Sequence, residues 1–180
     1  MNDTEPRYRI SRYAGILAAA LVVIVVAYLF ICWGTQTTIL LVRHADRQGT
    51  ADALSPAGTA RAQDLARVVE ESGIRAIYTS EAVRTQQTAA PAASLLGITP
   101  VVVPAADEAG LVSTIRSNHA GQAVLVVGHS NTVPQIIAEF GGPAVTLGET
   151  EFDNFYVLTL CCYRWQTVKL TNLQYGAASP

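Results

Sequence analysis

The sequence predicts an α/β fold: a three-layer α/β/α sandwich with a mostly parallel central sheet, preceded by one N-terminal transmembrane helix. Short, fully apolar runs alternate with longer segments that carry helix start and stop signals, a pattern typical of parallel strands joined by helical crossovers. One uninterrupted apolar segment, residues 14–33, precedes them. The chain is 50% hydrophobic and only 14% charged, and its net charge of −2 provides no basic field for a nucleic-acid partner.

The apolar segment at residues 14–33 is expected to be a single, uncleaved membrane anchor. About 20 helical residues rise about 30 Å, the thickness of the hydrocarbon core of a bilayer. Three arginines precede the segment, and the next basic residue is Arg43. The positive-inside rule therefore predicts a cytoplasmic tail over residues 1–13 and an extracytoplasmic location for the rest of the chain. A cleaved signal peptide and a buried core helix are the alternatives.

After a polar linker at residues 34–37, one domain is expected over residues 38–176, followed by a short tail at residues 177–180. Strands are predicted at residues 39–42, 74–79, 99–103, 123–127, 152–162 and 166–173. Helices are predicted between them at residues 56–72, 80–96, 107–118 and 132–140. The first of these helices has the clearest boundaries, because Ser55 suits its N-cap, Pro56 its first position and Gly73 its end.

Polar residues stand directly after three of the apolar strands. They are Arg43 and His44 after the first strand, Ser80 and Arg84 after the second, and His129 and Ser130 after the fourth. Because the carboxyl ends of parallel strands meet at one edge of a sheet, two arginines and two histidines are expected to converge there. Guanidinium groups match phosphate oxygens in pairs, and a neutral imidazole can attack phosphorus and carry the phosphoryl group. The sequence therefore predicts a site for phosphoryl transfer.

Other chemistries lack their signatures in this chain. No G-x-x-x-x-G-K-[ST] or G-x-G-x-x-G pattern is present, which disfavours phosphate-loop and dinucleotide binding. Ser130 lies in a segment similar to a nucleophile elbow, but no histidine follows it, as an α/β-hydrolase requires. His44 and Asp46 lack a further histidine at paired spacing, and the nearby arginines would repel a cation. No metal and no other cofactor is expected.

Three segments together resemble the motifs of the histidine phosphatase superfamily, whose relatives include the phosphoglycerate mutases. They are LLVRHADR at residues 40–47, YTSEAVRTQQTA at residues 78–89 and VLVVGHSNTVP at residues 124–134. The resemblance covers nearly the whole domain in the right order. It implies that His44 is the phosphorylated nucleophile, that the site works without a metal, and that the phosphoryl group is bound by Arg43, Arg84 and His129. Ser130, next to His129 in the chain, is a further candidate for substrate binding.

The resemblance also implies a carboxylic acid that gives a proton to the leaving group. Asp107 is the expected donor and Glu108 is the alternative, since many relatives supply a carboxylate in this part of the chain. Burial in an anionic pocket would raise the pKa of such a group and keep it protonated. With neither acid in place, only substrates with good leaving groups would react quickly.

The expected function is a membrane-anchored phosphatase that hydrolyses phosphomonoesters or phosphoramidates through a phosphohistidine at His44. Its partners would be a phosphorylated small molecule or a phosphoprotein, with membrane contact through residues 14–33. Two alternatives remain open: a non-catalytic phosphate-binding or scaffold domain of the same fold, and a phosphotransferase similar to the phosphoglycerate mutases. A chain without large insertions leaves the site open, which favours a phosphatase over a mutase.

Overall fold

The computed structural model describes residues 5–33, 36–161 and 167–179, and the chain divides into two compact units between residues 35 and 36. The first unit contains helix α1 (Glu5–Trp33), in which the side chains of residues 13–29 are described.

The prediction of a membrane anchor over residues 14–33 is wrong. Within the part of the chain that the structure describes, no helix combines the length and the apolar character that a membrane span needs. The single-pass topology, the membrane contact and the extracytoplasmic location that depended on this anchor are corrected with it.

The second unit is the α/β domain. Its strands are β1 (Thr37–Arg43), β2 (Ile74–Thr79), β3 (Val101–Val102), β4 (Ala123–Gly128), β5 (Asn154–Cys161) and β6 (Thr167–Gln174). Its helices are α2 (Pro56–Val69), α3 (Val83–Leu96), α4 (Glu108–Asn118) and α5 (Thr132–Glu139). The six strands lie in the order β3-β2-β4-β1-β5-β6. The first four of these are parallel, β5 is antiparallel to β1, and β6 is antiparallel to β5, so the sheet is mixed.

The core lies on both faces of the sheet because its two central strands carry runs of buried apolar residues, at 39–42 in β1 and 124–127 in β4. In β1, Ile39 and Leu41 pack on the side of α4 and α5, whereas Leu40 and Val42 pack on the side of α2 and α3. The neighbouring strand β4 alternates in the same way. Consecutive strand residues point to opposite faces, so a continuous apolar run is the pattern of a strand covered by helices on both sides.

Most predicted elements are present, with differences at their ends. Ser55 caps α2 by accepting a hydrogen bond from the Gly58 amide at 3.0 Å, as its position predicts. Strand β3 is limited to two residues, and α3 begins three residues later than predicted. The predicted linker at residues 34–37 is described only in part, and Thr37 already belongs to β1. The connection between the last two predicted strands, residues 163–165, lies outside the described residues.

Gly58 shows how closely α2 approaches the loop that follows β1. A Cβ atom at this position would overlap the backbone carbonyl of Asp46. The same loop is fixed from the side by Arg61 of α2, whose Nε donates to Oδ2 of Asp46 at 2.7 Å. Arg61 is almost fully buried and also donates to the carbonyl of Tyr175 at 3.1 Å. These contacts hold the backbone two residues beyond His44 in one place.

Candidate active site

The carboxyl ends of β1, β2 and β4 meet at one edge of the sheet. Arg43 pairs with Gly128 across β1 and β4, and Thr79 pairs with Val127 across β2 and β4. The residues that follow these strands therefore lie side by side. The ring centroids of His44 and His129 are 5.5 Å apart.

His44 is buried and its imidazole is oriented by its own backbone. Its Nδ1 lies 2.8 Å from the carbonyl oxygen of Ala45. A carbonyl oxygen can only accept, so Nδ1 carries the hydrogen and Nε2 keeps its lone pair. Burial, together with the charges of Arg43 and Arg84, lowers the pKa of His44 to about 4. The imidazole is therefore neutral at physiological pH, the state in which Nε2 can act as a nucleophile.

Arg43 is 2% exposed and is held by the segment that precedes β5. Its Nη1 donates to the carbonyls of Gly148 at 2.8 Å and Glu151 at 3.2 Å. The guanidinium carbon lies 4.2 Å from the ring centroid of Phe152, whose ring centroid is also 5.9 Å from that of His44. Two carbonyls and one aromatic face thus fix the plane of the guanidinium group beside the nucleophile.

Arg84 belongs to the first turn of α3 and is held by Asp52, a residue of the loop after β1. The Arg84 Nη1 donates to Oδ1 of Asp52 at 2.8 Å. Asp52 also accepts hydrogen bonds from the backbone amides of Val83 and Arg84, at 3.0 and 3.2 Å. These amide hydrogen bonds lower the pKa of Asp52. A carboxylate from a distant loop therefore caps α3, which explains why the helix starts later than its sequence predicts.

His129 joins Arg84 to Ser80. Its Nδ1 accepts from the Arg84 Nη2 at 3.2 Å, and its Nε2 lies 2.9 Å from the Ser80 hydroxyl. Since Nδ1 accepts, the hydrogen of the neutral imidazole is on Nε2 and is donated to Ser80. Burial and then the charge of Arg84 lower the pKa of His129. In this state His129 orients Arg84, and a bound dianion would favour the imidazolium, which donates from both nitrogens.

The two carboxylic acids predicted as proton donors have different surroundings. The Asp107 side chain is exposed and serves as the N-cap of α4, where it accepts from the Gly110 amide at 3.1 Å. Glu108, the next residue, lines an open cleft together with Arg84 and His129. His44 is not part of that lining, but its ring lies against His129. Only one of the two acids therefore lines the cleft that Arg84 and His129 share.

Ser130 faces a carboxylate rather than open solvent. Its hydroxyl donates to Oε1 of Glu149 at 2.8 Å, and Oε2 of the same carboxylate lies 3.4 Å from the Arg43 Nη2. The hydrogen bond from Ser130 and the charge of Arg43 lower the pKa of Glu149, which is therefore ionised at neutral pH. Glu149 is thus in contact with two of the residues predicted to bind a phosphoryl group.

Sequence reasoning missed Asp52, Glu149 and Phe152. The last two precede β5, whose amino end lies at the same sheet edge because β5 runs antiparallel to β1. An expectation of antiparallel pairing there would have placed them at the site. No local signal marks Asp52, since its role depends on a helix that begins 31 residues later. Among the described residues, no group of three or more His, Cys, Asp or Glu side chains is arranged to hold a metal ion.

Comparisons with known proteins show which sequences this domain resembles. The sequence profile of the histidine phosphatase superfamily (branch 1) matches residues 39–111. The PE-PGRS family protein PE_PGRS11 of Mycobacterium tuberculosis is 37% identical over 86 residues, which cover 42% of this chain. The match spans only 15% of the length of that relative.

Solved structures share the fold at low sequence identity. A mycobacterial glucosyl-3-phosphoglycerate phosphatase matches with a TM-score of 0.60 and 14% identity, over 78% of this chain and 99% of its own. The protein histidine phosphatase SixA, complexed with tungstate, matches with a TM-score of 0.59 and 18% identity, over 76% and 96%. The alpha-ribazole phosphatase of Shigella flexneri matches with a TM-score of 0.56 and 16% identity, also over 76% and 96%. This α/β domain is therefore similar to the histidine phosphatase superfamily in the sequence of residues 39–111, and it shares its fold with the three solved structures.

Proposed function

We propose that the protein is a phosphatase that hydrolyses phosphomonoesters or phosphoramidates through a covalent phosphohistidine at His44. The observation that carries the proposal is the state of His44: a buried, neutral imidazole whose Nδ1–H is bound to the Ala45 carbonyl, with Arg43 as its neighbour in the chain. This arrangement leaves the Nε2 lone pair for a phosphorus atom. In the proposed mechanism, the guanidinium group of Arg43 stabilises the charge that the equatorial oxygens gain in the transition state.

The reaction proceeds in two displacements. In the first, Nε2 of His44 attacks phosphorus, the bond from phosphorus to the leaving oxygen or nitrogen breaks, and the leaving group takes a proton from the general acid. In the second, water attacks the phosphohistidine and gives a proton to the same carboxylate. The bond from phosphorus to nitrogen breaks, and inorganic phosphate and the neutral imidazole are released. No step of this proposal requires a metal ion.

Four residues are assigned to bind the phosphoryl group: Arg43, Arg84, His129 and Ser130. Arg43 and Arg84 supply the charge, and their planar donor groups suit a tetrahedral dianion. The Nε atoms of both arginines are buried without a hydrogen-bond partner among the described residues. Ser130 and the imidazolium form of His129 would add neutral and charged donors.

Glu108 is assigned as the general acid in preference to Asp107, which had been the expected donor. Glu108 lines the cleft shared by Arg84 and His129, whereas Asp107 is occupied as the cap of α4. The substrate is assigned to a phosphorylated small molecule or a phosphoprotein. The names of the structural neighbours support this range, since those proteins act on phosphohistidine in a protein, on a sugar phosphoglycerate and on a ribazole phosphate.

The test is turnover and phosphoenzyme trapping on the full chain. Wild type should hydrolyse p-nitrophenyl phosphate and phosphohistidine, and rapid quenching should trap phosphate on His44. His44→Ala should lower kcat/KM by at least about a thousandfold, as expected for the loss of a nucleophile. His119→Gln is the matched control, because His119 lies at the end of α4 and hydrogen-bonds to Tyr78 rather than to the site.

Three outcomes separate the proposal from its alternatives. Equal turnover in wild type and His44→Ala would contradict the phosphohistidine mechanism. Phosphate binding without a trapped phosphoenzyme would instead indicate the scaffold domain. Transfer of the label to a second acceptor in preference to water would indicate a phosphotransferase. For the acid, Glu108→Gln should slow alkyl phosphates more than p-nitrophenyl phosphate, and Asp107→Asn should slow both equally or not at all.

A further inference from the structure

Glu149 makes contacts that a phosphoryl group would otherwise make. Its two carboxylate oxygens reach the Ser130 hydroxyl at 2.8 Å and the Arg43 Nη2 at 3.4 Å. Both hydrogens of the Arg43 Nη1 are already donated to the carbonyls of Gly148 and Glu151. The donor of Arg43 that remains for a phosphoryl group is therefore Nη2, which faces Glu149, whereas Nε is buried without a hydrogen-bond partner in the described residues. A dianion that binds Ser130 and both hydrogens of the Arg43 Nη2 therefore replaces Glu149 at these two groups.

The segment that carries Glu149 is fixed on both sides of it. Arg43 binds the carbonyls of Gly148 and Glu151, and the Gly148 amide donates to Oε2 of Glu151 at 2.9 Å. A displaced Glu149 side chain can therefore rotate, but its backbone stays next to Arg43. The side chain is 78% exposed, so it has room to turn toward solvent at the mouth of the site. There it would face the carrier, which is the part of the substrate to which the phosphoryl group is bonded.

We propose that Glu149 is a specificity-determining residue that selects against substrates whose carrier is negatively charged and favours carriers with ammonium or N–H groups. The proposal rests on the proposed function, because it concerns the substrate of the same site. An anionic carrier is repelled by the displaced carboxylate, whereas a cationic carrier or an N–H donor replaces Arg43 and Ser130 as its partner. Glu81, which lines the cleft beside Arg84, adds charge of the same sign.

The experiment compares three phosphomonoesters that differ in carrier charge: phosphoethanolamine, glycerol phosphate and phosphoglycolate. Each is measured as a competitive inhibitor of p-nitrophenyl phosphate hydrolysis by the full chain, so that binding is measured whether or not the compound is turned over. Glu149→Gln keeps the size of the side chain and removes its charge. Glu139→Gln is the matched control, because Glu139 is exposed at the end of α5 and the change in net charge is the same.

Glu149→Gln should tighten binding of phosphoglycolate roughly five- to tenfold relative to phosphoethanolamine, with glycerol phosphate between them, as expected for the loss of one charge close to the carrier. Glu139→Gln should leave the three inhibition constants in their wild-type ratio. A purely structural role of Glu149 would change all three constants by the same factor, and that result would overturn the inference.

Two further outcomes also count against the inference. If Glu149→Gln slows turnover of alkyl phosphates and leaves the inhibition ratios unchanged, then Glu149 acts in proton transfer instead of selection. If wild type neither hydrolyses p-nitrophenyl phosphate nor forms a phosphoenzyme, the proposed function fails, and the inference fails with it. An active wild type with unchanged ratios in Glu149→Gln overturns the inference alone.

Discussion

The two arginines of the site, Arg43 and Arg84, are held in opposite ways. Arg43 is buried, stacked on Phe152 and bonded to two backbone carbonyls. Arg84 is 25% exposed and depends on side chains, with Asp52 on one side and His129 on the other. Arg43 is therefore part of the folded core as well as of the site, whereas Arg84 can adjust to a ligand at little cost to the fold. Substitutions at the two positions should separate stability from phosphate binding.

The largest effect is expected for Arg43→Lys. A lysine cannot reach both carbonyls in the plane that Phe152 defines, so buried acceptors lose their donor. The free energy of unfolding should fall by about 3 kcal/mol, measured by urea denaturation. Phosphate binding should be lost at the same time. If the free energy of unfolding falls by less than about 1 kcal/mol, Arg43 does not stabilise the fold more than Arg84 does.

Arg84→Lys should affect binding and leave the fold unchanged. The lysine retains the charge but cannot bind phosphate and His129 in a planar arrangement. We expect the affinity for inorganic phosphate, measured by calorimetry, to fall about tenfold. The Tm should stay within about 2 °C of wild type, as is usual for a substitution at a partly exposed position. If the Tm of Arg84→Lys falls as far as that of Arg43→Lys, the proposed difference between the two arginines is wrong.

The pH dependence of His44 also tests the difference between the buried and the exposed parts of the site, because His44 and Arg43 are both buried. Burial lowers the pKa of His44 to about 4 from an ordinary value near 6.5. Between about pH 4 and pH 6.5, the imidazole of His44 is therefore protonated in the unfolded chain and neutral in the folded chain. Stability associated with His44 should fall as the pH drops from about 6.5 toward 4 and be constant above that window.

An NMR titration of the imidazole in the ligand-free protein tests the value directly, with a midpoint near pH 4 expected. A midpoint at or above 6.5 would show that the imidazole is not desolvated. Inorganic phosphate should raise the midpoint, since a dianion beside the ring favours the imidazolium.

The smallest effect is expected for Asp52→Asn. The amide oxygen can still accept from the backbone of α3, so the helix cap is retained while the charge opposite Arg84 is lost. Phosphate affinity should change by no more than about threefold, because the ion pair is exposed. Asp52→Ala removes the cap as well and should weaken binding further. Equal affinities in the two variants would show that Asp52 does not position Arg84.

Much of the site could be predicted because it follows local sequence. Residues 39–42 and 123–127 are apolar runs, each followed at once by the polar residues of the site, and parallel pairing brings the strand ends together. Ser55 and Pro56 marked the start of α2 in the same local way. The end of α3 followed from Gly97, which takes the left-handed conformation with φ of 66°.

The apolar segment at residues 14–33 shows the limit of such reasoning. Its composition and flanking charges predicted a membrane anchor, and the structure does not support one within its described residues. The hydrogen-bond partners of Arg43 could not be predicted from the sequence either, because Gly148, Glu149 and Glu151 are more than 100 residues away in the chain. Pairing at that distance depends on how β5 joins the sheet, and no periodicity in the sequence records the direction of that strand.

The sequence by itself determined the α/β class, the order of the elements and the meeting of two arginines and two histidines at one sheet edge. It could do so because strand burial and the cap of α2 are set by neighbouring residues. Only the tertiary structure decided which donors of Arg43 are already occupied, which carboxylate caps α3 and which acid lines the cleft. The physical reason is that hydrogen-bond partners and desolvation depend on groups that are close in space and far apart in the chain, and these set the charge state of His44 and the exposure of Arg43.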